Sequence, residues 1–97
     1  MQRLEPQSVG DVLRLTIQEA NMQTKLAECR AAELWAPLVG EHIAGRCGRP
    51  RVTAGIMTVS VPAAPLRQEL TMTRSSMIRL INERLGSEVV KDIRFVG

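Results

Sequence analysis

Side chains able to do covalent or metal chemistry are few in this sequence: one histidine, His42, and two cysteines, Cys29 and Cys47. A thiol nucleophile needs a base within hydrogen-bond reach and a further group that orients the base. Cys47 with His42 supplies the first two parts, and nothing nearby supplies the third. A zinc site needs ligands grouped at short spacing, yet the cysteines stand 18 residues apart, with no CxxC string and a single histidine. The expectation is a non-enzyme with no catalytic residue, no metal and no cofactor, whose two thiols stay reduced.

Phosphate recognition suits the residue types better. Of the 13 basic residues, 11 are arginine and 2 are lysine, and the planar guanidinium fork matches phosphate or carboxylate oxygens better than a lysine point charge does. Arg46, Arg49 and Arg51 fall within six residues. Arg67 and Arg74 stand seven apart, which on one continuous helix nearly aligns them along the margin of its apolar stripe. These five arginines are the candidate nucleic-acid-binding residues. The bland alternative for the helix pair is that their stems cover the core while their heads are solvated. Gly45-Arg46-Cys47-Gly48 also matches the G-x-x-G string with which K-homology domains clamp nucleotides. Here Pro50 and a hairpin pattern follow instead of a second helix, so the string reads first as a helix-to-strand turn. One Trp, one Phe and no Tyr exclude the multi-ring platform on which RRM and OB domains stack bases. Any nucleic-acid contact is therefore electrostatic, with little base readout, and the net charge of +3 permits it without demanding it.

A chain of 97 residues with 44% hydrophobic and 24% charged content is sized for one domain with one core. Ser8-Val9-Gly10-Asp11 has capping-box spacing, and Val9, Val12, Leu13 and Ile17 recur at helical spacing, which predicts a first helix over 8–20 and a flexible tail over 1–7. Met22, Leu26 and Cys29 share one face of the next segment, while Trp35, Leu38, Val39 and Ile43 share another, about half a turn away. One straight helix cannot bury both, so a break between 30 and 37, aided by Pro37, is expected. Trp35 reads as core. After the loop Gly45 to Pro50, the period changes to two. Arg51 to Thr53 and Ile56 to Val61 form a hairpin turning at Ala54-Gly55, with Met57, Val59 and Val61 on one face. Pro62 ends the strand and Pro65 opens a helix. Leu66, Leu70, Met77, Leu80 and Ile81 form one stripe, predicting a single helix to Leu85 capped by Gly86. Met72 lies opposite Leu66 and hints faintly at a partner surface. Val89 to Val96 is a final strand, placed to return parallel onto the sheet. The predicted order is α-α-α-β-β-α-β: an α+β domain with helices on one face of a three-stranded sheet. No apolar run reaches 18 residues, and no signal-type stretch follows Met1. A soluble, cytoplasmic protein with no membrane partner is expected.

Several strings occur together in a fixed order: Ser8-Val9-Gly10-Asp11-Val12-Leu13; Leu34-Trp35-x-x-Leu38-Val39-Gly40-x-x-Ile43-Ala44; Gly55 to Val61 with Leu66-Arg67-Gln68-Glu69-Leu70; and Leu80-Ile81-Asn82-Glu83-Arg84-Leu85-Gly86 leading to Val90-x-x-Ile93-Arg94-Phe95. Through nearly the whole chain this resembles the DciA family of bacterial proteins. The resemblance implies a KH-like α+β domain spanning 1–97. It also implies a non-catalytic adaptor that associates with the DnaB-type replicative helicase and assists its loading on DNA. It implies weak contact with DNA, single-stranded above all. Better-studied members carry a basic, flexible tail beyond the folded domain. The sequence here ends at Gly97, directly after the last predicted strand, which shifts the expected DNA contact onto the folded surface. The shared positions Trp35, Gly40, Leu70, Asn82 and Gly86 read as fold determinants. The alternative function is a stand-alone, sequence-independent DNA- or RNA-binding domain that uses the five arginines. Oligomeric state is left open.

Overall fold

A computed structural model describes residues 9–97; the predicted tail over 1–7 and the Ser8 half of the capping box lie outside the described residues. The elements are α1 (Val9–Val39), α2 (Glu41–Ala44), β1 (Arg51–Thr53), β2 (Ile56–Ser60), α3 (Ala64–Met72), α4 (Arg74–Leu85) and β3 (Asp92–Val96). The strands lie in the order β1-β2-β3, with β1 antiparallel and β3 parallel to β2. The α+β class, the hairpin and the parallel return all match the expectation.

The hairpin turns where predicted. Ala54 and Gly55 both have positive φ, 53° and 83°, the backbone that a two-residue turn needs to follow the right-handed twist of its strands. Gly55 is buried and ties three segments together. Its N–H donates to the Glu28 carboxylate of α1 at 3.3 Å. Its carbonyl accepts from the Lys91 and Asp92 amides at 2.7 and 3.3 Å, which sets the start of β3. Register then places Val52, Met57 and Ile93 in one row, and Val59 beside Phe95. Met57, Val59, Val61 and Ile93 are fully buried, and the helices cover this face with Trp35, Leu66, Leu70, Met77 and Ile81. Trp35 and Phe95 meet at a ring-centroid distance of 5.7 Å with a 45° tilt, within the range for favourable aromatic pairs.

Two helix boundaries differ from the expectation. First, α1 is one continuous helix, with neither an end at 20 nor a break between 30 and 37, and Pro37 lies inside it. The two out-of-phase stripes do not have to be buried together: Ala31 and Trp35 are buried, while Met22, Leu26 and Cys29 stay exposed. Pro37 stands two residues before the helix end at Val39, so its missing amide bond and the crowding of its ring against the Glu33 carbonyl disturb only the last turn. The three predicted N-terminal helices are thus one long helix and the single turn α2. Second, the long helix over 66–85 is two. The Thr73 amide and hydroxyl both donate to the Leu70 carbonyl, at 3.1 and 2.9 Å, closing α3. This lets α3 lie along β3 while α4 turns to pack on both α1 and β3. The apolar stripe survives the break, with Leu80 moving out to partial exposure.

After α4, Gly86 adopts the left-handed cap at φ 77°. Asn82 then fixes the approach to β3. Its amide donates to the Val90 carbonyl at 2.8 Å, and its carbonyl accepts from the Val89 and Val90 amides at 3.1 and 2.9 Å.

Candidate functional site

The five candidate arginines do not converge. Arg46 and Arg49 lie between α2 and β1 and Arg51 opens β1, all three exposed at one edge of the sheet. Arg67 and Arg74 lie on the helices beside β3, at the other edge. They are not aligned on one helix, because Thr73 separates α3 from α4. Both also have partners within the molecule. The Arg67 guanidinium donates to the Val61 carbonyl at 2.8 Å, which ties α3 to the end of β2. Arg74 pairs with Asp92 at 3.6 Å, both side chains being partly exposed. The core-covering and tethering reading therefore describes Arg67 better than a phosphate contact does.

The Gly45 to Gly48 string is a helix-to-strand turn. Arg46 and Cys47 donate their amides back to the Ile43 and Ala44 carbonyls, and the Gly48 amide donates to the Ser60 carbonyl at 2.7 Å. A Cβ at Gly48 would stand 3.1 Å from the Ser60 Cβ. The loop is glycine-bearing so that it can close on β2, and these three amides are already engaged.

The uncovered face of the sheet carries a basic row that sequence reading missed. Arg51 registers opposite Thr58, and Thr58 opposite Arg94, so two exposed arginines flank a threonine across all three strands, about 10 Å apart. Ile56, Ser60 and Val96 share this face by strand alternation. The signal was present in the sequence. Ile93 and Phe95 alternate with Arg94, so once they are assigned to the core, Arg94 must point the other way.

Cys47 is half-buried, and burial pushes its thiol pKa up, with the Arg46 charge opposing the shift. A thiol held protonated is a poor nucleophile. His42 is exposed on the one-turn α2. Neither residue lines the surface grooves along α4, beside the hairpin turn, or between α1 and β1 among the described residues. Among the described residues, no group of three His, Cys, Asp or Glu side chains could hold a metal ion, and no helix is long and apolar enough to cross a membrane.

No curated protein matches the chain. A family model described as "Dna[CI] antecedent, DciA" matches residues 8–95, from the start of α1 to within one residue of the end of β3. A match over nearly the full length, on a domain whose helices precede a hairpin and a parallel third strand, establishes that this chain belongs to the DciA family.

Proposed function

We propose that the protein is a non-catalytic adaptor of the DnaB-type replicative helicase, assisting its placement on DNA in the cytoplasm through a KH-like domain. The observation that carries this reading is the family match over residues 8–95. A small adaptor acts by binding one conformation of the helicase better than another, and it shifts the population only by that differential affinity. No nucleotide chemistry is required of the adaptor itself.

Light scattering on a sizing column at near-physiological salt, with the replicative helicase of the same organism, tests the reading. A defined complex without DNA is expected, with no ATP turnover by the adaptor alone. Absence of a complex would sink the proposal.

The row Arg51, Thr58, Arg94 favours a second reading, that the open sheet face meets a nucleic-acid backbone with little base readout. In the adaptor reading this contact is secondary and weak.

A further inference from the structure

The three-stranded sheet has two edges, and they are treated differently. Along β3 the Val96 carbonyl accepts from Val61 on the β2 side, so by alternation Asp92, Arg94 and Val96 bond β2 while the backbones of Ile93 and Phe95 turn outward. That edge is defended: the Ile93 amide donates to the Asp92 carboxylate at 2.9 Å, Asp92 also pairs with Arg74, and α3 and α4 both contact the strand. The β1 edge is open. Its two-residue turn makes Thr53 and Ile56 a hydrogen-bonded pair, so Val52, opposite Met57, belongs to the other kind and turns its N–H and C=O away from β2. No group among the described residues bonds either of them. An unpaired strand edge of this kind is a template for another strand.

A groove runs between this edge and α1. Small side chains of α1, Cys29, Ala32 and Ala36, form one wall and Pro50 and Val52 the other, in two overlapping hollows of about 510 and 460 Å³. Trp35 lines the groove beside Arg49 and Pro50. It is 1% exposed, and its indole Nε1 is the one buried side-chain nitrogen or oxygen without a partner among the described residues. A buried donor is costly to leave unpaired, and the fold supplies it with no acceptor. The rim is cationic, with Lys25, Arg49 and Arg51. Of its two carboxylates, Glu28 is engaged by the Gly55 amide and Glu33 is exposed.

We infer that the groove receives an extended acidic peptide segment of a partner protein, added to the sheet as a fourth strand beside β1. A peptide backbone presents a donor and an acceptor at the spacing that the Val52 C=O and N–H require, whereas a nucleic-acid backbone presents only acceptors to such an edge. Side chains of the added strand point by turns toward α1 and toward the open sheet face. Those under α1 meet Cys29, Ala32 and Ala36, whose small size leaves room for a valine. Those on the open face meet Arg51, which suits a carboxylate. From Lys25 to Ala36 the α1 wall is about 17 Å long, the reach of roughly five extended residues. A carbonyl of the segment at the Pro50 end is the acceptor that the Trp35 indole lacks. The inference concerns peptide capture at this groove and does not depend on which protein carries the peptide.

The chain has one tryptophan, so a nitrogen-15 correlation spectrum carries a single indole signal that reports on the groove. The probe is a six-residue peptide of alternating valine and aspartate, acetylated and amidated at its ends, titrated into the full chain to millimolar concentration. Saturable displacement of the Trp35 indole and the Val52 amide is expected, with lysine in place of aspartate weakening the binding about tenfold. Val52→Pro removes the edge donor at a position where a strand tolerates proline, and Ala32→Phe fills the groove from α1. Each should weaken the peptide about fivefold or more while the signals of the β2 and β3 core stay in place. Displacement of neither signal at millimolar peptide overturns the inference. So does affinity unchanged by both variants, or an oligothymidylate of six nucleotides that displaces the same two signals as strongly as the peptide does. The titration contains no helicase, so a chain that ignores the peptide yet binds helicase would overturn the groove and leave the adaptor reading standing.

Discussion

Ala54 is the one non-glycine residue with positive φ among the described residues, and an L side chain there sits in a conformation that costs about 1 kcal/mol. Ala54→Asn, a residue suited to this turn position, is expected to raise unfolding stability by about 0.5–1 kcal/mol in urea titrations. Cys47 makes a second prediction. Burial favours its protonated form and raises its pKa, so the stability this contributes is present at neutral pH and is lost as pH rises past the ordinary thiol range. At neutral pH, iodoacetamide should label exposed Cys29 first, with Cys47 following only as the solution becomes alkaline. Equal labelling at pH 7, read by mass spectrometry, would contradict the burial of Cys47. Gly55, by contrast, was readable from sequence as a turn residue but not as the junction of α1, β2 and β3, because its bonds to Glu28 and Lys91 join positions remote in the chain.

At the scale of elements, α1 divides into a half that builds the core and a half that does not. Trp35→Ala removes a fully buried indole that packs on Phe95, and it should destabilise the domain by about 3–5 kcal/mol. Ile17→Ala, in the exposed outer half, should change the unfolding of the domain by less than about 0.5 kcal/mol. Comparable losses from both would show that the outer half packs on the body. Helix periodicity was legible throughout α1, since spacing alone determines which residues share a face. Where the helix stops was not. The predicted break assumed that every apolar stripe must be covered by the same chain, and α1 leaves its second stripe in water. The division of the last helix at Thr73 was hidden for a related reason: the stripe Leu66, Leu70, Met77, Ile81 stays in phase across the turn.

For the whole molecule, the distribution of arginines decides what nucleic-acid contact can look like. Arg51 and Arg94 share the open sheet face, whereas Arg67 is spent on the Val61 carbonyl and Arg74 on Asp92. Replacing Arg51 and Arg94 with Ala should weaken DNA binding equally for unrelated sequences and flatten its salt dependence by roughly two units of slope. Arg67→Ala should instead lower stability, leaving that slope unchanged. Fluorescence anisotropy across a salt series, beside a melting curve, separates these outcomes. Affinity unaffected by the Arg51 and Arg94 double substitution would remove the sheet face from consideration. A helicase complex that survives the same substitution would place the adaptor contact elsewhere on the surface.

The sequence by itself determined the α+β class, the two-residue hairpin turn, the inward faces of β2 and β3, the burial of Trp35 and the family. Each of these rests on local spacing or on residues in fixed order, and both are properties of the chain alone. Tertiary structure alone decided that α1 runs unbroken past its body, that the predicted arginine pair is split between two helices and already engaged, and that Arg51 and Arg94 stand in one row. Those facts depend on which segments meet across long separations in the chain, and strand register and helix docking settle that only once the core has formed.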